Sequence, residues 1–158
     1  MYLTADKIYI FNVGDSRTIL SKNGDFVFAT KDHKPDDPVE QERILKNPYC
    51  YVSNRMFDVP RVNGVLALSR ALGDFHLKKI GTVIPRHEQP VIANPDVSIF
   101  DRKDASHILM ASDGVFDVLS NDQICALMTG GSEKIVENAI SRRSADNMTV
   151  LIVDLSAD

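Results

Sequence analysis

Four aspartates stand where folded chains gather chemically useful carboxylates, at the ends of apolar runs. Asp15 follows the run 7–13, and Asp113 follows the run 108–111. Asp117 comes four residues after Asp113, and both face one way if Gly114-Val115-Phe116 makes a single helical turn. Asp146 precedes Asn147 and the last apolar run, 149–155. Carboxylates collected at strand ends without matching Lys or Arg repel one another unless a cation lies between them. An all-oxygen donor set is the natural seat of a hard divalent ion, Mg²⁺ or Mn²⁺. Each aspartate also has an ordinary reading. Gly14-Asp15 and Asp113-Gly114 read as turns, Asp117 as surface charge and Asp146-Asn147 as a loop. Spacing alone leaves both readings open.

The elements around these residues are legible from local pattern. The run 7–13 is β-branched and aromatic and predicts a strand; 18–20 resumes an extended run after Gly14-Asp15. Asn23-Gly24 is a strong hairpin signal joining that run to 26–29. Asp37-Pro38-Val39-Glu40 predicts a helix start, with Asp37 as cap, Pro38 in the first position and Glu40 as the capping-box carboxylate. Asn47-Pro48 closes that helix. From about 73 to 95 the chain is proline-rich and aperiodic, as functional loops often are. Strands are predicted at 97–100 and 108–111, with a turn at 101–106. Ser120-Asn121-Asp122-Gln123 is a second capping box, and Gly130-Gly131 stops the helix it opens. Ile135, Val136, Ala139 and Ile140 mark another helix, and 149–155 a final strand. Strands and helices are segregated, which favours α+β with antiparallel sheets over a doubly wound parallel sheet.

Composition narrows the function classes. The chain has 158 residues, 44% hydrophobic and 25% charged, with a formal net charge of -4. That fits one globular domain or a piece of a larger one. No basic run offers a footprint for nucleic acid. No apolar stretch approaches the ~20 residues a membrane span needs, and no secretory signal pattern opens the chain. Cys50 and Cys125 are read as reduced thiols of an intracellular protein, cytoplasmic or nuclear. His33, His76, His87 and His107 are scattered and, with the two cysteines, offer no zinc-ligand spacing. No D-x-D-x-D-G loop supports a Ca²⁺ site.

Several blocks together resemble the metal-dependent protein phosphatases, the PPM or type 2C family of Ser/Thr phosphatases. Asn12-Val13-Gly14-Asp15-Ser16-Arg17 is similar to its N-V-G-D-S-R element. Asp32-His33-Lys34-Pro35 leads into Glu42-Arg43-Ile44, and Arg61-Val62-Asn63-Gly64 into Leu66-Ala67-Leu68-Ser69-Arg70-Ala71-Leu72-Gly73-Asp74. Gln89-Pro90-Val91-Ile92-Ala93 precedes Pro95-Asp96-Val97. Asp113-Gly114-Val115-Phe116-Asp117 and Asp146-Asn147-Met148-Thr149-Val150 follow in the family's order. The resemblance implies part of an α-β-β-α sandwich, two antiparallel sheets flanked by helices. It implies hydrolysis of phosphoserine and phosphothreonine in a phosphoprotein substrate, by a water bridging two divalent ions, Mg²⁺ or Mn²⁺. Two metals address a slow reaction, supplying a nucleophile and neutralising charge. By the matched motifs, Asp113 and Asp146 are expected to be ligands of that pair. Asp15 and Asp117 are expected to hold a third, weaker ion. Ser16, Arg17, Arg61, Ser69, Arg70 and Asn147 are read as structural or as bracing the ligands. Residues from about 74 to 95 correspond to the family's flap beside the active site.

The departure is at the front. The family's catalytic domain runs to about 250 residues, within the range of one domain. Its first half carries a phosphate-binding Arg and a D-G-H-G block whose Asp bridges both metals. No D-G-H-G occurs here, and Met1–Lys7 has no Arg. Residues 1–158 therefore read as the C-terminal portion of such a catalytic domain, inactive alone. The alternative is a non-catalytic, phosphatase-like interaction module. Stripped strand edges lead to an expectation of self-association.

Overall fold

The computed structural model describes residues 1–54, 58–78 and 85–155. In chain order, β1 (Tyr2–Leu3), β2 (Lys7–Asn12), β3 (Arg17–Lys22) and β4 (Asp25–Ala29) precede α1 (Pro38–Leu45). Then come β5 (Val52–Ser53), β6 (Arg61–Val62), β7 (Asp96–Asp101) and β8 (His107–Ala111). The last part holds α2 (Asp113–Phe116), α3 (Asn121–Leu127), α4 (Gly131–Ser141) and β9 (Val150–Asp154). Two compact units result. The first is Met1–Asn12, Ser16–Lys31 and Asp96–Asp158; the second is Val13–Asp15 and Asp32–Pro95. No helix among the described residues is long and apolar enough to cross a membrane.

The first unit contains two antiparallel sheets, ordered β1-β2-β7 and β4-β3-β8-β9. The expected α+β class with antiparallel sheets is what forms. Asn23 and Gly24 have φ of 54° and 91°, the two positive values a type I′ hairpin turn requires between β3 and β4. β7 and β8 are near neighbours in sequence yet lie in different sheets. The capping box of Asp101 and Asp104, closing the 3₁₀ turn Arg102–Asp104, carries the chain from one sheet to the other.

Period-two alternation divides the core. Ile8 and Ile10 of β2 and Phe100 of β7 meet Leu20 of β3, Phe28 of β4, Ile108 of β8 and Val153 of β9 between the sheets. The Phe28 and Phe100 ring centroids are 4.8 Å apart. On the opposite face of the four-stranded sheet, Ile19 and Leu109 pack against Val115 of α2, Ile124 of α3, and Ile135 and Ala139 of α4. Consecutive residues such as Ile19-Leu20 and Ile108-Leu109 thus serve two cores, which is why these central strands are apolar without alternation. Each such side chain contributes about 1.5–3 kcal/mol on burial. Ser120 caps α3 as expected, with Gln123 reaching back to the Ser120 amide at 3.1 Å.

The second unit centres on α1 and the β5–β6 pair, around Ile44, Cys50, Val62, Leu77 and Val91. Asp37 caps α1 as predicted, accepting from the Val39 amide at 3.2 Å. The expected capping-box role of Glu40 is corrected. Glu40 and Ile44 lie one turn apart on the buried face of α1, so the carboxylate turns inward to arginines instead of back to Asp37. The segment expected as a flap holds 3₁₀ turns at Phe75–Leu77 and Arg86–Glu88. Its residues 79–84 lie outside the described residues.

Candidate metal centre

The site is built at the C-terminal end of β8. Ser112 leaves the strand with extended backbone, and α2 is the single turn the Asp-x-x-x-Asp spacing suggests. The Asp117 amide donates to the Asp113 carbonyl at 2.9 Å, placing the two aspartates one turn apart. Ser112 then staples β8 to the approach of β9. Its hydroxyl donates to the Asn147 carbonyl at 3.1 Å and accepts from the Thr149 amide at 3.0 Å.

Gly114 makes the approach closer than any other residue allows. A Cβ there would lie 2.7 Å from the Asn147 carbonyl oxygen and 3.1 Å from the Asp146 Cβ. Asp113 and Asp146, 33 positions apart, are thereby carried on backbone segments in contact. Each carboxylate accepts from the following amide: Asp113 Oδ1 from Gly114 at 3.0 Å, Asp146 Oδ1 from Asn147 at 2.7 Å. Ser144 Oγ donates to the Gly114 carbonyl at 2.6 Å and fixes the same junction.

The residues read as bracing have identifiable contacts. The Arg17 guanidinium lies 4.4 Å from the Phe116 ring centroid and donates to Asn121 Oδ1 at 2.8 Å, tying α2 to the start of α3. Arg61 donates to the Val65 carbonyl at 3.1 Å, within its own turn. Asn147 acts through its backbone, whose carbonyl accepts from Ser112.

Asp15 belongs to the second unit. Gly14 precedes it with φ of +105°, a conformation that favours glycine. His33 clasps this turn from both sides. Its amide donates to the Gly14 carbonyl at 3.0 Å, and its Nδ1 accepts from the Gly14 amide at 3.1 Å. Nδ1 as acceptor places the proton of a neutral His33 on Nε2. Lys34 then reaches Asp15 and forms an ion pair with its Oδ2.

Glu40 anchors the same unit. Its Oε1 accepts from Arg70 Nε at 3.1 Å and Nη2 at 2.6 Å, and its Oε2 accepts from Arg43 Nη2 at 2.7 Å. Arg43 continues to the carbonyls of Ser69 and Gln89, and Arg70 to that of Asn94. Burial opposes ionisation of Glu40, but the guanidinium hydrogen bonds from Arg70 and then Arg43 outweigh it, holding the carboxyl at about 2. Sequence reasoning gave His33 and Lys34 no individual role and assigned Glu40 a different one. The available signal was Glu40 four residues before Ile44, an acid on an apolar helix face that demands partners.

Among the described residues, no three or more His, Cys, Asp or Glu side chains converge as a metal-holding group. A hard ion nonetheless suits Asp113 and Asp146. Mg²⁺ in phosphate chemistry is commonly held by one or two carboxylates, with water and substrate oxygens completing its shell. Asp117 stands one turn from Asp113, and Asp15 is carried by the other unit.

The family model "Protein phosphatase 2C" matches residues 1–148. The chain is 36% identical to "Probable protein phosphatase 2C 24" of Arabidopsis thaliana, over 97% of this chain and 45% of that protein. It is also 36% identical to human "Protein phosphatase 1B", over 94% of this chain and 32% of that protein. A Toxoplasma gondii phosphatase crystal structure superposes with a TM-score of 0.80 at 34% identity, covering 92% of this chain and 47% of that one. The chain thus spans less than half the length of these relatives. The match over residues 1–148, most of the chain, makes it a member of the protein phosphatase 2C family.

Proposed function

We propose that this chain forms part of a metal-dependent protein serine/threonine phosphatase, contributing Asp113 and Asp146 to a Mg²⁺ or Mn²⁺ centre. The observation that carries the reading is the contact at Gly114, which sets the residue after Asp113 against the Asn147 carbonyl and the Asp146 Cβ. Divalent ions there would supply an activated water and neutralise charge on a phosphoserine or phosphothreonine ester. The residues of this chain do the holding. Ser112 and Ser144 lock the two aspartate segments together, and Arg17 secures α2 from the side. Asp117, in the first unit, and Asp15, in the second, are each proposed as a ligand for more weakly held metal. The segment at about 74–95 is proposed to border the substrate. Exposed apolar strands also support self-association of the isolated chain.

The 158 residues contain no D-G-H-G block. The proposal therefore expects no hydrolysis of p-nitrophenyl phosphate or a phosphothreonine peptide above background. Fusing a D-G-H-G-bearing segment from a relative ahead of Met1 is expected to create Mn²⁺-dependent turnover that Asp113→Ala abolishes. Metal-dependent turnover by the unfused chain would refute the expected inactivity. A well-folded fusion without activity would favour a binding module.

A further inference from the structure

We infer that Lys34 is a tethered counter-ion of Asp15 that competes with divalent metal for this carboxylate. This rests on the proposed metal-ligand role of Asp15 and adds a means of regulating it. The two residues are 19 positions apart, and their meeting is built into the backbone. His33, immediately before Lys34, makes paired hydrogen bonds to Gly14, immediately before Asp15. The His33 carbonyl also accepts from the Ser69 amide at 3.0 Å, so the stem of Lys34 starts from a segment held on two sides.

The partners are unequally exposed. The Asp15 side chain retains 16% of its accessible surface, while that of Lys34 retains 40%. A carboxylate so covered has lost much of its water, and the ammonium compensates its charge. Lys34, with the more exposed side chain and a flexible four-carbon stem, can swing away without leaving a buried charge of its own. A divalent ion arriving at Asp15 has to displace the ammonium, whose removal offsets part of the ion's attraction. No corresponding ion pair to Lys or Arg occupies Asp117 or Asp146 among the described residues. The competition therefore weakens metal at Asp15 and favours rapid exchange there.

The test is a Mn²⁺ titration followed by paramagnetic broadening of assigned backbone amides, on the 158-residue chain and its Lys34 variants. Lys34→Met is expected to lower the Mn²⁺ concentration for half-broadening at Asp15 by about fivefold, the upper range for a partly exposed ion pair. Midpoints at Asp113 and Asp146 are expected to stay within twofold. Lys34→Arg, which keeps the charge, should remain near wild type, and Lys34→Gln provides a second neutral variant if Lys34→Met loses amide dispersion. An unchanged or weaker midpoint at Asp15 in a folded neutral variant overturns the inference. Saturable broadening at Asp113 and Asp146 with none at Asp15 defeats it while sparing the metal reading of the first unit. Absence of saturable broadening at all three defeats both.

Discussion

Glu40 shows what a single residue can conceal in sequence. It occupies the position where a capping box wants an acid, so local pattern assigns it to the helix start. The arginines that claim it are Arg43, one turn on, and Arg70, which only the folded second unit brings near. The consequence is a pH dependence of stability. The folded carboxyl titrates at about 2, below an ordinary value near 4.5, so its contribution is complete above the higher value and is lost as pH falls between the two. The magnitude is on the order of 3 kcal/mol. Urea melts at pH 6 and pH 3 are expected to show Glu40→Gln less stable at pH 6, with the gap to wild type narrowed at pH 3. An equal gap at both values would remove Glu40 from the acid response. His33 and Lys34 were hidden for a similar reason: their partners, Gly14 and Asp15, are distant in sequence and close only after folding.

Elements were more legible than the contacts between them. Asn23-Gly24, Asp37-Pro38 and Ser120-Gln123 each encode their local geometry within a few residues, and all three appear where pattern places them. The Asp113–Asp117 helical turn was likewise readable from spacing, because four residues return a side chain to the same face. What pattern could not supply was the sheet to which β7 and β8 belong, a matter of long-range pairing. Nor could it show that α2 touches the segment before β9. Gly114 carries that contact, and its neighbour on the other side is backbone, which cannot rotate away. Gly114→Ala is therefore expected to cost about 1–3 kcal/mol through overpacking and to weaken Mn²⁺ binding at Asp113 and Asp146 together. Thermal melts and metal titration of that variant check both effects; unchanged values would show that the junction is loose.

At the scale of the whole molecule, the α+β class and the antiparallel sheets followed from segregated strands and helices. The cover on each sheet did not, since period-two alternation marks a face without saying what lies on it. Helices α2, α3 and α4 cover the four-stranded sheet. On the three-stranded sheet, Phe11 pairs with Val97 and Tyr9 with Ile99, and Phe11, Val97 and Ile99 are 51%, 53% and 56% exposed. Apolar side chains contiguous on one sheet face favour association. Sedimentation of the chain across a dilution series is expected to show mass rising with concentration. A monomer throughout, melting cooperatively well above ~60 °C, would show that this face is stable uncovered. Calorimetric titration with Mn²⁺ tests whether Asp113 and Asp146 hold metal together. Saturable, millimolar-range binding is expected in the wild-type chain and its loss in the Asp113→Asn, Asp146→Asn double variant; saturable binding unchanged in that variant would rule out joint ligation by these two aspartates.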